Sequence, residues 1–212
     1  MDIVLDDREV RILGSLIEKE MTTPEYYPLT LNALTNACNQ KSNRNPVVFF
    51  DEASVTLGLD GLLAKGLARK TIVAGSRVAK YVHAFLDRFD LSRQEMAVLC
   101  ELMVRGPQTA GELRARTERM AAFGDLEEVG KTLQGLIEYD PPLAATLPRQ
   151  AGKKEIRYMH LLSGEVDTAP DVQAPTTPAA EERIERLEEE IARLKGELET
   201  VKQAFAQFKS QF

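Results

Sequence analysis

The densest chemistry in this sequence lies between positions 22 and 46, TTPEYYPLTLNALTNACNQKSNRNP. That stretch holds Asn32, Asn36, Asn39, Asn43 and Asn45, with Gln40, Lys41 and Arg44 interleaved among the last of them. Side-chain amides can read adenine edges, and guanidinium groups can read guanine edges. Cations near a helix N-terminus can hold phosphate. Asn39, Gln40, Lys41, Asn43 and Arg44 are therefore candidate contacts to double-stranded DNA. Arg69, Lys70, Arg77 and Lys80 join them if a hairpin carries those cations beside the same helix. The competing reading is a solvated turn in which asparagine satisfies its own backbone. Tyr26 and Tyr27 fit either stacking on a base or packing between helices.

Other chemistries find little support. His83 and His160 stand alone, and Cys38 and Cys100 are remote from each other in sequence. Neither Cys-x-x-Cys nor His-x-x-x-His spacing occurs, so no metal site is expected. Gly-x-Ser-x-Gly, the Walker loop and the Gly-rich dinucleotide turn are also missing from the sequence. The expectation is a protein that is not an enzyme and takes no cofactor. Both cysteines fall on apolar helical faces, where buried thiols suit a reducing compartment. No apolar run approaches the roughly 20 residues of a membrane span, and no signal pattern opens the chain. A cytoplasmic protein without membrane contact is expected.

The elements that must position these residues are legible from spacing. Asp6, followed three residues later by Glu9, forms a capping-box pattern ahead of Val10, Leu13, Leu16 and Ile17 at helical period. Pro24 ends that helix. Thr30 can cap a second helix over 30–39, with Leu31, Leu34, Ala37 and Cys38 on one face. A polar loop, 40–45, is closed by Pro46. Asp51 can cap a third helix, whose Val55, Leu59, Leu62 and Leu63 make one buried stripe, and Gly66 stops it. Strands over 67–73 and 77–85 follow, with Ala74-Gly75-Ser76 as their turn.

The same order then recurs. Leu91-Ser92-x-x-Glu95 repeats Leu5-Asp6-x-x-Glu9, and Val98, Leu99 and Leu102 repeat Ile12, Leu13 and Leu16, at an offset of 86. Thr109-x-x-Glu112 is a second capping box. Asp125, Val129, Leu133, Leu136 and Ile137 repeat Asp51, Val55, Leu59, Leu62 and Leu63 at an offset of 74. Arg157-Tyr158-Met159-His160 repeats Lys80-Tyr81-Val82-His83 at an offset of 77. This is one unit present twice, with 12 extra residues in the first copy between its first and third helices. Extra polar residues in one copy alone make that insert a candidate site.

Three helices and a hairpin are the winged-helix arrangement, a variant of helix-turn-helix. The expected fold is mostly α with small β-hairpin wings. It comprises a first winged-helix domain over 1–88, a second over 89–164, a linker over 165–180 and a coiled-coil helix over 181–212. The linker is rich in Pro, Ala, Thr and Asp and cannot build a core. In the last segment Ile184, Leu187, Ile191, Leu194, Leu198 and Val201 alternate spacings of three and four, continued by Phe205, Phe208 and Phe212. Ile at a and Leu at d favour a parallel two-stranded coiled coil, hence a homodimer. A single amphipathic helix folding back on the body would show the same pattern.

The runs Arg11-Ile12-Leu13-Gly14-Ser15-Leu16-Ile17-Glu18-Lys19-Glu20, Thr23-Pro24-Glu25-Tyr26-Tyr27-Pro28-Leu29-Thr30-Leu31-Asn32 and Ala37-Cys38-Asn39-Gln40-Lys41-Ser42-Asn43-Arg44-Asn45-Pro46 resemble the YceH family of bacterial proteins. The resemblance covers about residues 1–164. It implies tandem winged-helix domains, often followed by a coiled coil, and implies no catalytic residue or cofactor.

Two functions stay open on the sequence. One is a dimeric DNA-binding protein of the transcription-regulator type, using the loop and wing residues named above. The other is an adaptor that docks a protein partner. Charge divides them. Residues 1–88 carry 11 basic and 11 acidic side chains, 89–164 carry 10 and 11, and 165–212 carry 6 and 11. Net charge is −6, concentrated in the tail. The third helix of each copy begins acidic, Asp51-Glu52 and Asp125 with Glu127-Glu128, which a duplex would repel.

Overall fold

A computed structural model of the chain describes residues 3–72, 78–148, 155–164 and 193. The expected turn at 74–76, Arg77, and the segments 165–180 and 181–212 lie outside the described residues, Arg193 excepted. So do Ile184, Leu187, Ile191, Leu194, Leu198 and Val201. The described secondary structure is mostly α with small antiparallel sheets, within one compact unit, Met1–Thr168. The boundary expected at 88/89 falls inside that unit.

In chain order the first half runs α1 (Asp7–Thr22), β1 (Leu29–Thr30), α2 (Leu31–Cys38), α3 (Glu52–Ala64), β2 (Ala68–Thr71) and β3 (Lys80–His83). The second runs α4 (Arg93–Arg105), β4 (Gln108–Thr109), α5 (Ala110–Thr117), α6 (Leu126–Glu138), β5 (Ala144–Leu147) and β6 (Arg157–His160). Local chemistry starts each helix. The Asp6 carboxylate accepts the Glu9 N–H at 2.8 Å, and the Glu9 carboxylate accepts the Asp6 N–H at 2.8 Å. Ser92 with Glu95 and Thr109 with Glu112 form the same reciprocal box. Thr30, Asp51 and Asp125 cap α2, α3 and α6 from their side chains. Each cap satisfies donors that the first helical turn leaves unpaired.

The strands are shorter than expected, and each half has one more of them. Sheet order is β1-β3-β2 in the first half and β4-β6-β5 in the second, all antiparallel. β1 and β4 have two residues each, too few for a period-two pattern to register in sequence. Phe85, expected at the end of a strand, instead opens a 3-10 turn and is fully buried, stacked on Phe89 with ring centroids 4.5 Å apart. The two sheets share a register: His83 pairs with Ala68 and His160 with Ala144. Val55 and Val129, the matching positions of α3 and α6, are both 0% exposed. The offset between halves is 86 at Asp6 and Ser92, 79 at Thr30 and Thr109, and 74 at Asp51 and Asp125. The insert is therefore split, part before α2 and part after it.

Every residue from Glu9 to Glu18 on α1 is buried, as is every residue from Met96 to Val104 on α4. Such helices need partners on both faces. Val10, Leu13, Leu16 and Ile17 belong to the hydrophobic core, and α1 packs against α2 and α3 of its own half and against α4 of the other. The Cys100 thiol donates to the Gly14 carbonyl at 3.3 Å. Gly14 and Cys100 are the same position of the repeated unit, so the halves meet as an isologous pair does. A Cβ at Gly14 would stand 2.8 Å from Val104 Cγ1 and 3.0 Å from Met103 Cβ. Gly14→Leu should therefore force the helices apart and lower stability by about 1–3 kcal/mol in denaturant unfolding. Unchanged stability would show that the crossing tolerates a wider spacing.

Candidate functional site

The amide-rich insert keeps Lys41, Asn43 and Asn45 exposed but turns Arg44 inward. Arg44 is 6% exposed. Its Nη1 and Nη2 donate to the two oxygens of Glu18 at 2.9 and 2.6 Å, a bidentate pair. Nε and Nη2 also donate to the Ala37 carbonyl at 3.2 and 2.9 Å, and Nη1 donates to the Asn43 carbonyl at 2.7 Å. Burial alone would raise the Glu18 carboxyl and lower the Arg44 guanidinium; their pairing outweighs it and shifts each the other way. Arg44 is thus a correction to the expected nucleic-acid contacts: its donors are consumed inside the protein.

Some of the asparagine groups are engaged within the protein as well. Asn39 holds the backbone of Phe50 at two points, Nδ2 donating to the carbonyl at 2.7 Å and Oδ1 accepting the N–H at 2.8 Å. Its amide is not free to read a base edge. Asn43 takes a left-handed backbone, φ 58°, which asparagine tolerates better than most residues. Its Oδ1 accepts from Arg105 Nη2 at 2.5 Å, across to α4. The Asn45 N–H donates to the Val104 carbonyl at 3.0 Å. Arg11 on α1 holds the loop from beneath, donating to the Cys38 and Pro46 carbonyls at 3.3 and 2.7 Å. The insert is a staple between the halves.

Of the remaining candidates, Gln40 and Lys41 stay on the loop, half-buried and exposed respectively. Arg69 is exposed and pairs with Asp87 at 3.0 Å. Lys70 is exposed and Lys80 half-buried. The register puts Arg69 and Lys80 on one face of the sheet, with Thr71 and Val82. Lys70 falls on the other, opposite Tyr81. Arg69 and Lys80 thus share a face, Lys70 does not, and Arg77 lies outside the described residues.

A surface that sequence reasoning missed lies on α3. Its buried stripe is Val55, Leu59 and Leu62; its opposite side exposes Ala53, Leu57, Asp60 and Ala64. Leu57 is 62% exposed, and Phe49, just before the cap, is 82% exposed. Asp51 and Glu52 open this helix, and Lys65 at its end is held by the Glu9 carboxylate. The matching positions of α6 are Glu127, Lys131, Gln134 and Glu138. There Lys131 Nζ meets Glu127 at 2.8 Å, and Gln134 Nε2 donates to Glu138 at 2.6 Å. Laying the two copies side by side at offset 74 would have exposed this contrast.

The histidines are built in. The Phe85 N–H donates to His83 Nδ1 at 3.3 Å, which leaves Nε2 to donate to Glu20. The His83 N–H donates to Tyr27 Oη at 2.7 Å, so that tyrosine packs and bonds internally. With both ring nitrogens engaged and its side chain 4% exposed, His83 has no lone pair to offer a substrate. At the position of Glu20 the second copy has Gly106. His160 is buried with Nδ1 unpartnered among the described residues, and burial pulls its pKa down to about 4. Burial also pushes the Cys38 thiol up to about 11 and the Cys100 thiol well above its usual value, which leaves both poor nucleophiles. Among the described residues no three His, Cys, Asp or Glu side chains converge as metal ligands. No described helix is long and apolar enough to cross a membrane.

Comparison with known proteins places the chain. Residues 5–153 match the family model described as "Protein of unknown function, DUF480". A UPF0502 protein of Pelobacter propionicus is 50% identical over the full length of both chains. Another, from Citrifermentans bemidjiense, is 55% identical over 91% of this chain and 90% of its own. A third, from Solibacter usitatus, is 51% identical over the full length of both. The chain belongs to the UPF0502 (DUF480) family of bacterial proteins, in keeping with the YceH-type resemblance of its sequence.

Proposed function

We propose that this chain is a non-enzymatic, protein-docking adaptor built from two tandem winged-helix units. The element order of each half, helix, short strand, helix, helix and hairpin, supports the winged-helix reading. In such units the third helix is the one offered to a partner, and partners include proteins as well as DNA. The observation that carries the choice is the outer stripe of α3. Where a duplex-binding helix would bring cations, this one brings Ala53, Leu57, Asp60 and Ala64 behind an acidic start. The loss of Arg44 and Asn39 to internal bonds supports the same choice.

Duplex DNA is the alternative, through Lys41, Arg69, Lys70 and Lys80. Titrating random-sequence duplex at several salt concentrations separates the two. The adaptor reading expects no binding at about 50 mM salt. Binding that weakens steeply with salt, by about 0.9 log units per phosphate contact, would overturn it. In the same reading residues 181–212 pair two chains through Ile184, Leu187, Ile191, Leu194, Leu198 and Val201. Deleting 181–212 should halve the mass seen by light scattering; an unchanged mass counts against the dimer.

A further inference from the structure

The two copies of the unit form an internal control. α3 and α6 bury the same positions: Val55 with Val129, Leu59 with Leu133, and Leu62 with Leu136. Their outer stripes are not under that constraint, yet they differ completely. On α6 the stripe is Glu127, Lys131, Gln134 and Glu138, whose side chains satisfy one another at i,i+4 spacing. That is what a water-facing helix surface of this unit looks like. On α3 the same four positions are Ala53, Leu57, Asp60 and Ala64. Leu57 projects from the middle at 62% exposure, between two alanines small enough to admit a second helix closely. Phe49 adds a ring, 82% exposed, at the N-terminal end. Asp51, Glu52 and Asp60 surround this apolar centre, and Asp51 is held ionised by the Ser54 bonds it accepts as cap.

We infer that the outer face of α3 docks a basic amphipathic helix of a partner protein. Leu57 and Phe49 enter its apolar side, and its flanking lysines or arginines meet Glu52 and Asp60. This rests on the protein-docking reading above. The stripe spans 12 residues, about 16 Å, which matches about three turns of a partner helix. The sign of the charge selects the partner: an acidic rim repels both duplex phosphate and an acidic segment, such as residues 165–212 with 11 acidic and 6 basic side chains.

The test uses the full chain and two designed peptides of about five helical turns. Both carry leucine on one face; one has lysine on the other face, its twin has glutamate. Amide shifts in a ¹⁵N-labelled protein report the footprint. The lysine peptide should bind with its footprint on residues 49–64, and the glutamate peptide should not bind. Leu57→Ser should weaken the lysine peptide about tenfold, as loss of a central anchor does. Asp60→Lys should weaken it too, whereas Lys131→Ser on α6 should leave it unchanged. Leu57 is exposed, so its serine variant should melt with the wild type and any lost binding is a lost contact. No binding, a footprint elsewhere, or equal affinity in Leu57→Ser would overturn the inference. Its failure alone, with duplex still unbound, removes the partner class and spares the docking reading. Salt-dependent duplex binding removes the docking reading itself.

Discussion

Replacing Arg44 by alanine should lower the stability of this protein by about 3–5 kcal/mol, read as a fall in the denaturant midpoint at constant slope. The reason is what it leaves behind. Glu18, with 9% of its side chain exposed, would keep a charge and lose both of its bidentate bonds. The Ala37 carbonyl would lose its donor as well. Against a total of about 5–15 kcal/mol for a protein of ordinary stability, the variant sits near its folding threshold. The position of Glu18 on α4 is held by Val104, so the unit accepts an apolar residue there. Glu18→Val combined with Arg44→Leu should therefore recover more than half of the loss, because the charge leaves with its partner. A loss below about 1 kcal/mol in Arg44→Ala would show that Glu18 finds water or another donor. Failure of the double variant to recover would assign the loss to the Ala37 carbonyl and the loop path instead.

The second large effect is hidden in the wild type and appears on substitution. Burial pushes the Glu101 carboxyl up to about 7; Arg105 opposes that and Glu18 adds to it. Its folded value lies above an unfolded value of about 4.3, so its folded state favours the proton. Stability from this group is full below about 4.3 and falls as pH rises toward 7, by about 4 kcal/mol. Burial pulls His160 down to about 4, against the weak opposing pull of Asp7. Its contribution is full above about 6.5 and is lost as pH falls through 4, by about 3 kcal/mol. Between about pH 4.5 and 6.5 the two slopes oppose each other. Glu18, Glu112 and Glu128 are held below the usual carboxylate range and act mainly under that window.

Urea unfolding across the window should therefore show a nearly level wild type. Glu101→Gln should lose stability on acidification, and His160→Leu should gain it. The pair of opposite slopes is the signature; two variants as level as the wild type would sink the account. Glu101 pairs with Arg105 at 2.8 Å, and Arg105 also reaches Asn43 in the staple between the halves.

Much of the fold was legible because its signals are local. A capping side chain meets a backbone N–H three residues away, so Asp6, Thr30, Asp51, Ser92, Thr109 and Asp125 could each be read without knowing the fold. Helical stripes likewise repeat within a turn or two, and the offsets between copies follow from those stripes. β1 and β4 escaped because two residues carry no period, and their pairing partners lie far along the chain.

The expected site fared differently. A cation among asparagines looks solvated, and the sequence offers no sign that Arg44 turns inward. Its partner Glu18 is 26 positions away, and Asn43 finds Arg105 at a separation of 62. Arg11, Gly14, Ser15 and Glu18 likewise look like the wet side of an amphipathic α1, yet α4 and the insert cover them.

The sequence by itself determined the helices, their caps, the apolar faces and the duplication, since each depends on neighbours within a few residues or on self-similarity. The tertiary structure alone decided which polar side chains lost their water. Desolvation belongs to the packed whole: the docking of α1 on α4 buried Glu18, which needed Arg44, and left the outer stripe of α3 exposed.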